Sequence, residues 1–258
     1  VRRRSGPTSL SGLGLVIVLA LCWEASVRFG RVEADAWPAL SSVFAVFLDR
    51  ARAAELFAEF GGSLARMGRG YALGVLAGVL VGLAMGVSRA VHRTLELSFE
   101  LLRVVPSPAL IPPLVLFLGI DDAMKIAIVA LVVFWPVVLN TYHGVQGVDR
   151  ALLDTARTFK VPRGRVLFRI VLPAAAPLVF AGMRISLAIA LIVTVVAEMI
   201  AGTGGIGFYI LTMENAARAP EMYAGVAALS VLGYVLNRVF LRIERARLRW
   251  YFQGAIQG

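Results

Sequence analysis

Few side chains in this chain could do chemistry, and those few sit in apolar company. Glu198 is the only acidic residue of the run Val196-Ala197-Glu198-Met199-Ile200, which leads into Gly202, Gly204, Gly205 and Gly207. An ionisable group in such a run is expensive to bury and faces a bundle interior or water. Two roles stand open for it: bonding the exposed amides of the glycine-rich stretch, or gating a path. A second candidate is Pro106-Ser107-Pro108-Ala109-Leu110-Ile111-Pro112-Pro113, with four prolines in eight residues. Proline removes a donor and forces extended or kinked backbone. Broken backbone at membrane depth is tolerated only inside protein or along a water-filled cavity. Pro106, Ser107, Pro108, Ala109, Pro112 and Pro113 are therefore candidates for a translocation path, with a re-entrant structural bend as the other reading. The third candidate is a polar, basic segment, Gly144 to Pro173, carrying Arg150, Arg157, Lys160, Arg163, Arg165 and Arg169.

The chemistry that is absent narrows the function. Cys22 is the only cysteine, and His92 and His143 have no ligand-like neighbours in sequence, so no metal site is expected. No nucleophile–base set, HExxH or CxxC pattern occurs, so no catalytic residue is expected and the chain does not read as an enzyme. The only lysines, Lys125 and Lys160, follow no glycine-rich phosphate loop, so the chain has no cofactor or ATP site of its own. The net charge of +10 could suggest nucleic acid. In a membrane chain it reads instead as topology-setting charge, and no nucleic-acid partner is expected.

The elements that must position these residues are membrane helices. Hydrophobic residues make up 59% of 258 residues, and mean hydropathy is +0.80. That predicts an all-α, polytopic membrane protein of about six transmembrane helices. The spans are expected near 10–29, 62–87, 94–118, 123–142, 174–200 and 221–241. Between the first two, Phe44, Val46, Phe47, Leu48, Leu56, Phe57 and Phe60 alternate with charged residues and predict an interfacial amphipathic helix within 30–60. Arg2-Arg3-Arg4 before an apolar run resembles a signal, but Leu21 before Cys22 does not suit cleavage, so an uncleaved first span is expected. The Lys and Arg distribution puts both termini and segment 144–173 in the cytoplasm, with Arg66 and Arg69 as exceptions. Residues 1–60 form an N-terminal span with an external amphipathic loop, 61–245 a transmembrane core, and 246–258 a basic tail. Gly70, Gly74, Gly78, Gly82 and Gly86 make one bare stripe on the second span, which predicts close helix packing.

Segment 144–173 reads as helix, turn, helix. Leu152, Leu153, Ala156 and Phe159 recur at helical spacing, Val161-Pro162-Arg163-Gly164 breaks the helix, and a second short helix is expected from Arg165 to Leu172, stopping at Pro173. Asp154, Thr155 and Ala156, then Lys160, then Ile170-x-Leu172-Pro173, resemble the EAA loop of ABC importer permeases, in which a helical hairpin docks into a groove of the ATPase subunit. Asp154 stands where the family has Glu, and Lys160 where it has Gly. The Pro106–Pro113 stretch and the Glu198 region resemble the nitrate, sulfonate and taurine group of the same importers. The resemblance implies a bacterial inner-membrane permease for a small solute, such as a sulfonate, nitrate or related organic acid. It would be paired with a second copy as a homodimer, with two cytoplasmic ATPases that hold ATP and Mg, and with an external solute-binding protein. It implies an ATPase-coupling set of Asp154, Thr155, Ala156, Arg157, Phe159, Lys160, Pro162, Ile170, Leu172 and Pro173. The alternative is an ion-coupled secondary transporter, which needs a second discontinuous helix matching the 106–113 break.

Overall fold

The structure is a computed structural model that describes residues 8–29 and 37–254. Among the described residues every regular element is helical: α1 (Thr8–Arg28), α2 (Leu40–Leu48), α3 (Arg50–Val87), α4 (Arg89–Leu102), α5 (Ile111–Leu118), α6 (Asp122–Gln146), α7 (Arg150–Thr158), α8 (Arg163–Val166), α9 (Leu172–Ala201), α10 (Ile206–Asn215), α11 (Ala219–Arg247) and α12 (Arg249–Gly254). A 3₁₀ turn, Ser107–Leu110, precedes α5, and a π-helical turn, Leu167–Val171, joins α8 to α9. Among the described residues four helices are long and apolar enough to cross a membrane: α3, α6, the run Arg163–Ala201, and α11. The pair α4 and Ser107–Leu118 makes a fifth if counted as one span, bent by 93°. The chain is an all-α, multi-pass membrane protein. The basic residues Arg2 to Arg4 and Arg31, and the acidic Glu33 and Asp35, lie outside the described residues.

Two boundaries differ from the sequence-based expectation, and a third element breaks where it predicts. The amphipathic segment is split: Phe44 to Leu48 lie in α2, whereas Leu56 to Phe60 and the second span form one 38-residue helix, α3, because Gly61 and Gly62 lower helix propensity without breaking the hydrogen-bond ladder. The third span is broken, as its prolines predict: α4 ends at Leu102, and Pro112 and Pro113 lie in the first turn of α5, where a missing N–H costs nothing. The helix expected to stop at Pro173 instead runs on to Ala201. The π turn explains how. Leu172 N–H donates to Leu167 O, one residue beyond the α-helical partner, just before Pro173, which has no N–H to give.

The chain divides into two compact units. The described part of the smaller one comprises α1, α2, the first turns of α3, most of α10 and the start of α11. Trp23 stacks on Trp37 at 4.8 Å between ring centroids, and Tyr223 meets both edge-on at 5.5 and 6.1 Å. Amphipathic rings of this kind suit a membrane–water boundary. Arg218 and Arg52 both pair with the buried Glu221 carboxylate, at 3.0 and 3.4 Å.

The larger unit is organised on α6. Its buried residues include Ile128, Val129, Val132, Val133, Val137, Val138, Thr141 and Val145. Along one side of α6, Val129, Val133, Val137, Thr141 and Val145 recur every four residues and face Gly70, Gly74, Gly78, Gly82 and Gly86 of α3 in register. A Cβ built on Gly78 would lie 2.8 Å from Val137 Cβ, and one on Gly82 2.7 Å from Thr141 Cβ. Glycine rows set against β-branched rows let two i±4 ridges interdigitate at near-backbone distance. On its other side α6 packs against α9, where Gly182 leaves room for Asn140 and the Pro136 carbonyl.

Replacing Gly78 with Leu should therefore wedge α3 from α6. Overpacking of this kind costs about 1–3 kcal/mol or more, so the melting midpoint in detergent should fall by several degrees. Gly68→Leu is the control, because a Cβ there meets nothing within 4 Å. Equal effects of the two substitutions would refute the seam.

Candidate functional site

One end of the α3–α6 seam carries an ion cluster. Arg66 lies one turn before Gly70 on α3, Asp122 in the first turn of α6, and Glu198 in the last turn of α9. Glu198 is completely buried. Its Oε1 accepts from Arg66 Nη2 at 2.7 Å and Nε at 3.1 Å, and its Oε2 from the Gly207 N–H at 3.1 Å. Ser63 Oγ lies 2.8 Å from both carboxylate oxygens and accepts the Ile206 N–H at 2.9 Å. Arg66 Nη1 reaches Asp122 Oδ1 at 3.1 Å, and Nη2 also reaches the Gly204 carbonyl at 3.3 Å. The carboxylate is thus held on both oxygens by a guanidinium, a hydroxyl and a backbone amide. A buried pair is tolerable only when its remaining hydrogen-bonding sites are satisfied in this way.

The glycines after α9 make the arrangement possible. Gly205 adopts φ +107°, which L side chains rarely reach, and a Cβ there would fall onto the Glu198 carboxyl and Arg66 Nη2. A Cβ on Gly207 would strike the Val195 carbonyl. Arg66 is thus a partner for Glu198 that the charge-topology reading passed over. The signal for it was present: Glu198, the only anion of its apolar run, and two cations, Arg66 and Arg69, in another apolar span, with Arg66 132 residues away. Lys125, expected near the external surface, is 2% exposed, one turn after Asp122.

The other end of the seam carries the hairpin. Asp149 caps α7 by accepting the Ala151 N–H at 2.9 Å. The helix ends in a Schellman motif: Val161 N–H donates to Ala156 O and Lys160 N–H to Arg157 O, each at 2.9 Å. Lys160 takes the left-handed position, φ 49°, which is the place glycine normally fills. The turn geometry survives the substitution at the cost of placing an L side chain in that region. Leu153, Val166, Leu167 and Ile170 pack against Val145, Val148, Val171 and Ala175, which anchors the hairpin to the end of α6 and the start of α9. Ala156 is buried with them, and Leu172 is half-buried. Thr155 is exposed and turns its hydroxyl back onto Ala151 O, and Asp154 pairs with Arg157 at 3.0 Å on the exposed side. Leu152 and Phe159 project outward, 50% and 77% exposed, among Arg150, Lys160, Arg163 and Arg165; Pro162 and Pro173 are also exposed.

The proline segment is open. Pro106, Pro108, Ala109, Pro112 and Pro113 are exposed within the single chain. Ser107 lines a cavity of about 110 Å³ with Leu102, Val105, Leu110, Leu131, Val132 and Trp135. Among the described residues no group of three or more His, Cys, Asp or Glu could hold a metal.

Two expectations follow. Arg66→Met strands a buried carboxylate and should cost about 3–5 kcal/mol. Arg66→Met with Glu198→Met should cost less than the sum of the two single changes by about 0.5–3 kcal/mol in a thermal-unfolding cycle; strict additivity would mean that the ion pair contributes no coupling. Lys160→Gly should stabilise the hairpin by about 1 kcal/mol, read as slower amide exchange over residues 150–161.

Comparison with known proteins agrees with this architecture. Residues 74–249 match the family described as "Binding-protein-dependent transport system inner membrane component". The SsuC permease of Bacillus subtilis (strain 168), named for aliphatic sulfonates, is 31% identical over 93% of this chain and 87% of its own length. The nitrate import permease protein NrtB of Leptolyngbya laminosa is 29% identical over 91% and 85%. A chain of the inward-facing MetNI methionine ABC transporter superposes with a TM-score of 0.69 at 17% identity, over 77% of this chain and 98% of that one. This chain is a transport permease rather than an enzyme, and it belongs to the family of binding-protein-dependent transport system inner membrane components.

Proposed function

We propose that the chain is the translocating permease of an ATP-driven importer for a small anion, and that the 144–173 hairpin takes up the stroke of a separate ATPase. The observation that carries this reading is the outward face of α7. A membrane chain that presents Phe159, 77% exposed, and Leu152, 50% exposed, in a segment whose Arg150, Arg157, Lys160, Arg163 and Arg165 are also exposed offers an apolar contact with basic neighbours to a soluble partner. Ala156, Ile170 and Leu153 hold the hairpin to the bundle, so a push on Phe159 is delivered to α6 and α9. Asp154, Thr155, Arg157, Lys160 and Pro162 form the rest of the docking loop, and Leu172 and Pro173 join it to α9.

In the full assembly two copies of this chain, as a homodimer in membrane lipid, enclose the path. Two ATPase subunits bearing ATP and Mg dock on the hairpins, and a solute-binding protein delivers from the other side. Both termini and the hairpin lie in the cytoplasm of a bacterial inner membrane, which puts the Glu198 cluster at the external end. There Glu198 acts as a gate residue, and the Pro106–Pro113 bend, with Ser107, lines the path. Residues 61–245 are the working core, with 1–60 and 246–258 as flanking segments. Relatives named for aliphatic sulfonates, nitrate and taurine share an anionic group in their solutes, which is the basis for the substrate class.

Phe159→Asp should abolish co-purification with the ATPase subunit and solute uptake, and leave the permease inserted with an unchanged melting midpoint. Leu152→Asp should act in the same direction. Normal uptake by the Phe159→Asp variant would refute the docking face.

A further inference from the structure

Lys125 is the least explained charge in the chain. It is 2% exposed, and among the described residues no carboxylate lies within ion-pair distance of it. A strongly hydrated ammonium is retained in such a place when something anionic is to meet it there. The neighbouring charges do not fill that role. Arg66 gives Nε and Nη2 to Glu198, which is already saturated by Ser63 and the Gly207 amide. Only Asp122 remains, bound to Arg66 Nη1 at 3.1 Å, and its side chain is 53% exposed. Lys125 lies one turn after Asp121 and Asp122 on α6, and forms no ion pair with either of them or with Glu198. Asp122 and Lys125 are three residues apart at the start of α6, so they share one face of the helix. The Asp121 carboxylate, at the cap position, accepts no first-turn N–H, so those N–H groups of this 25-residue helix stay open to an anion.

We propose that Arg66, Lys125 and the N-terminus of α6 form an acceptor site for a singly charged oxyanion, with the Asp122 carboxylate as its place-holder. The proposal rests on the importer reading above for the site's use, and on the geometry for its chemistry. When an anion arrives, Asp122 leaves Arg66 Nη1 for solvent, and the newcomer accepts from Arg66 and Lys125. One negative charge replaces another, so a monoanion such as nitrate or an alkylsulfonate keeps the cluster in balance. Arg66 stays bound to Glu198 throughout, so the exchange at Nη1 is felt directly by the pair that clasps α3 to α9. A phospholipid phosphodiester is also a singly charged oxyanion, and the test distinguishes the two sources.

The purified full-length permease in a neutral detergent is titrated with sodium nitrate and with sodium methanesulfonate, at ionic strength held constant with sodium chloride. The melting midpoint is followed throughout. Saturable stabilisation by both salts is expected, and none by tetramethylammonium chloride. Asp122→Asn, which removes the competing charge without touching Arg66 or Lys125, should tighten the apparent Kd about tenfold. Lys125→Met should weaken it at least tenfold while its unliganded midpoint stays level or rises, which shows that the variant folds. A merely structural Asp122 would give a less stable protein with unchanged anion affinity, and that result overturns the proposal. So does a response that is the same in wild type and Lys125→Met. Stabilisation by short-chain phosphatidylglycerol with no response to either salt would assign the acceptors to a headgroup and overturn the solute site. Co-purification with the ATPase subunit is a separate readout. A chain that binds that subunit but shows no Lys125-dependent anion response keeps the importer reading and loses this site.

Discussion

The close approach of α3 to α6 is the constraint on which the larger unit depends. Lipid supplies no hydrophobic drive between two apolar helices, because acyl chains are as apolar as the side chains they replace. What remains is dispersion at short range, and that falls away with small increases in distance. Five glycines meeting Val129, Val133, Val137, Thr141 and Val145 bring the helices to that range along most of a span. α6 can then bury its other side against α9, and the meeting of Arg66 with Asp122 and Glu198 follows from the register of α3 against the start of α6 and the end of α9.

The seam also sets the distance between the two functional features. Arg66 and Gly86 are twenty residues apart on one helix, about 30 Å at 1.5 Å per residue. That is close to the thickness of a bilayer's hydrocarbon core. The ion cluster sits at the first end. At the second, Val145 meets Gly86 and also belongs to the apolar cluster under the hairpin. One continuous, closely packed pair of helices therefore joins the docking loop to the buried carboxylate. Coupling between the two needs no chain of side-chain rearrangements, only that the pair moves as a body.

The sequence made some of this legible and hid the rest for physical reasons. The glycine stripe could be read because period four on an apolar helix has one structural meaning, and the breaking of the third span because proline acts locally on its own backbone. The partner of the stripe was not read, because a row of valines is ordinary in any membrane helix until a second helix selects its register. Arg66 was counted as a topology residue because its meaning depends on Glu198, far away in sequence. Pro173 misled for a related reason. Its missing N–H ends a helix only if the preceding turn cannot widen, and here the Leu167–Val171 π turn absorbs the defect. Lys160 stands in the turn after α7 at the position where the EAA loop has Gly. The backbone takes the left-handed position regardless, because the two Schellman hydrogen bonds and the burial of Ala156 over-determine it.

These packing differences also assign rigidity and freedom within the unit. A seam of matched i±4 rows can slip only by a whole helical turn, since any smaller shift drives β-branched side chains into the opposing backbone. α3 and α6 are therefore locked to each other, and α6 and α9 are joined by the buried core that contains Ile128, Val132, Val193 and Ala197. α4 is the opposite case. It buries none of its residues, ends in a loop at Pro106, and turns through 93° into the following arm. Elements with few buried contacts are the low-stability end of a fold and are the ones drawn on when a structure must move. On the proposed function, a load applied at the hairpin passes into the α3–α6–α9 block, and the Pro106–Pro113 bend is where an alternating path would take up its change of shape.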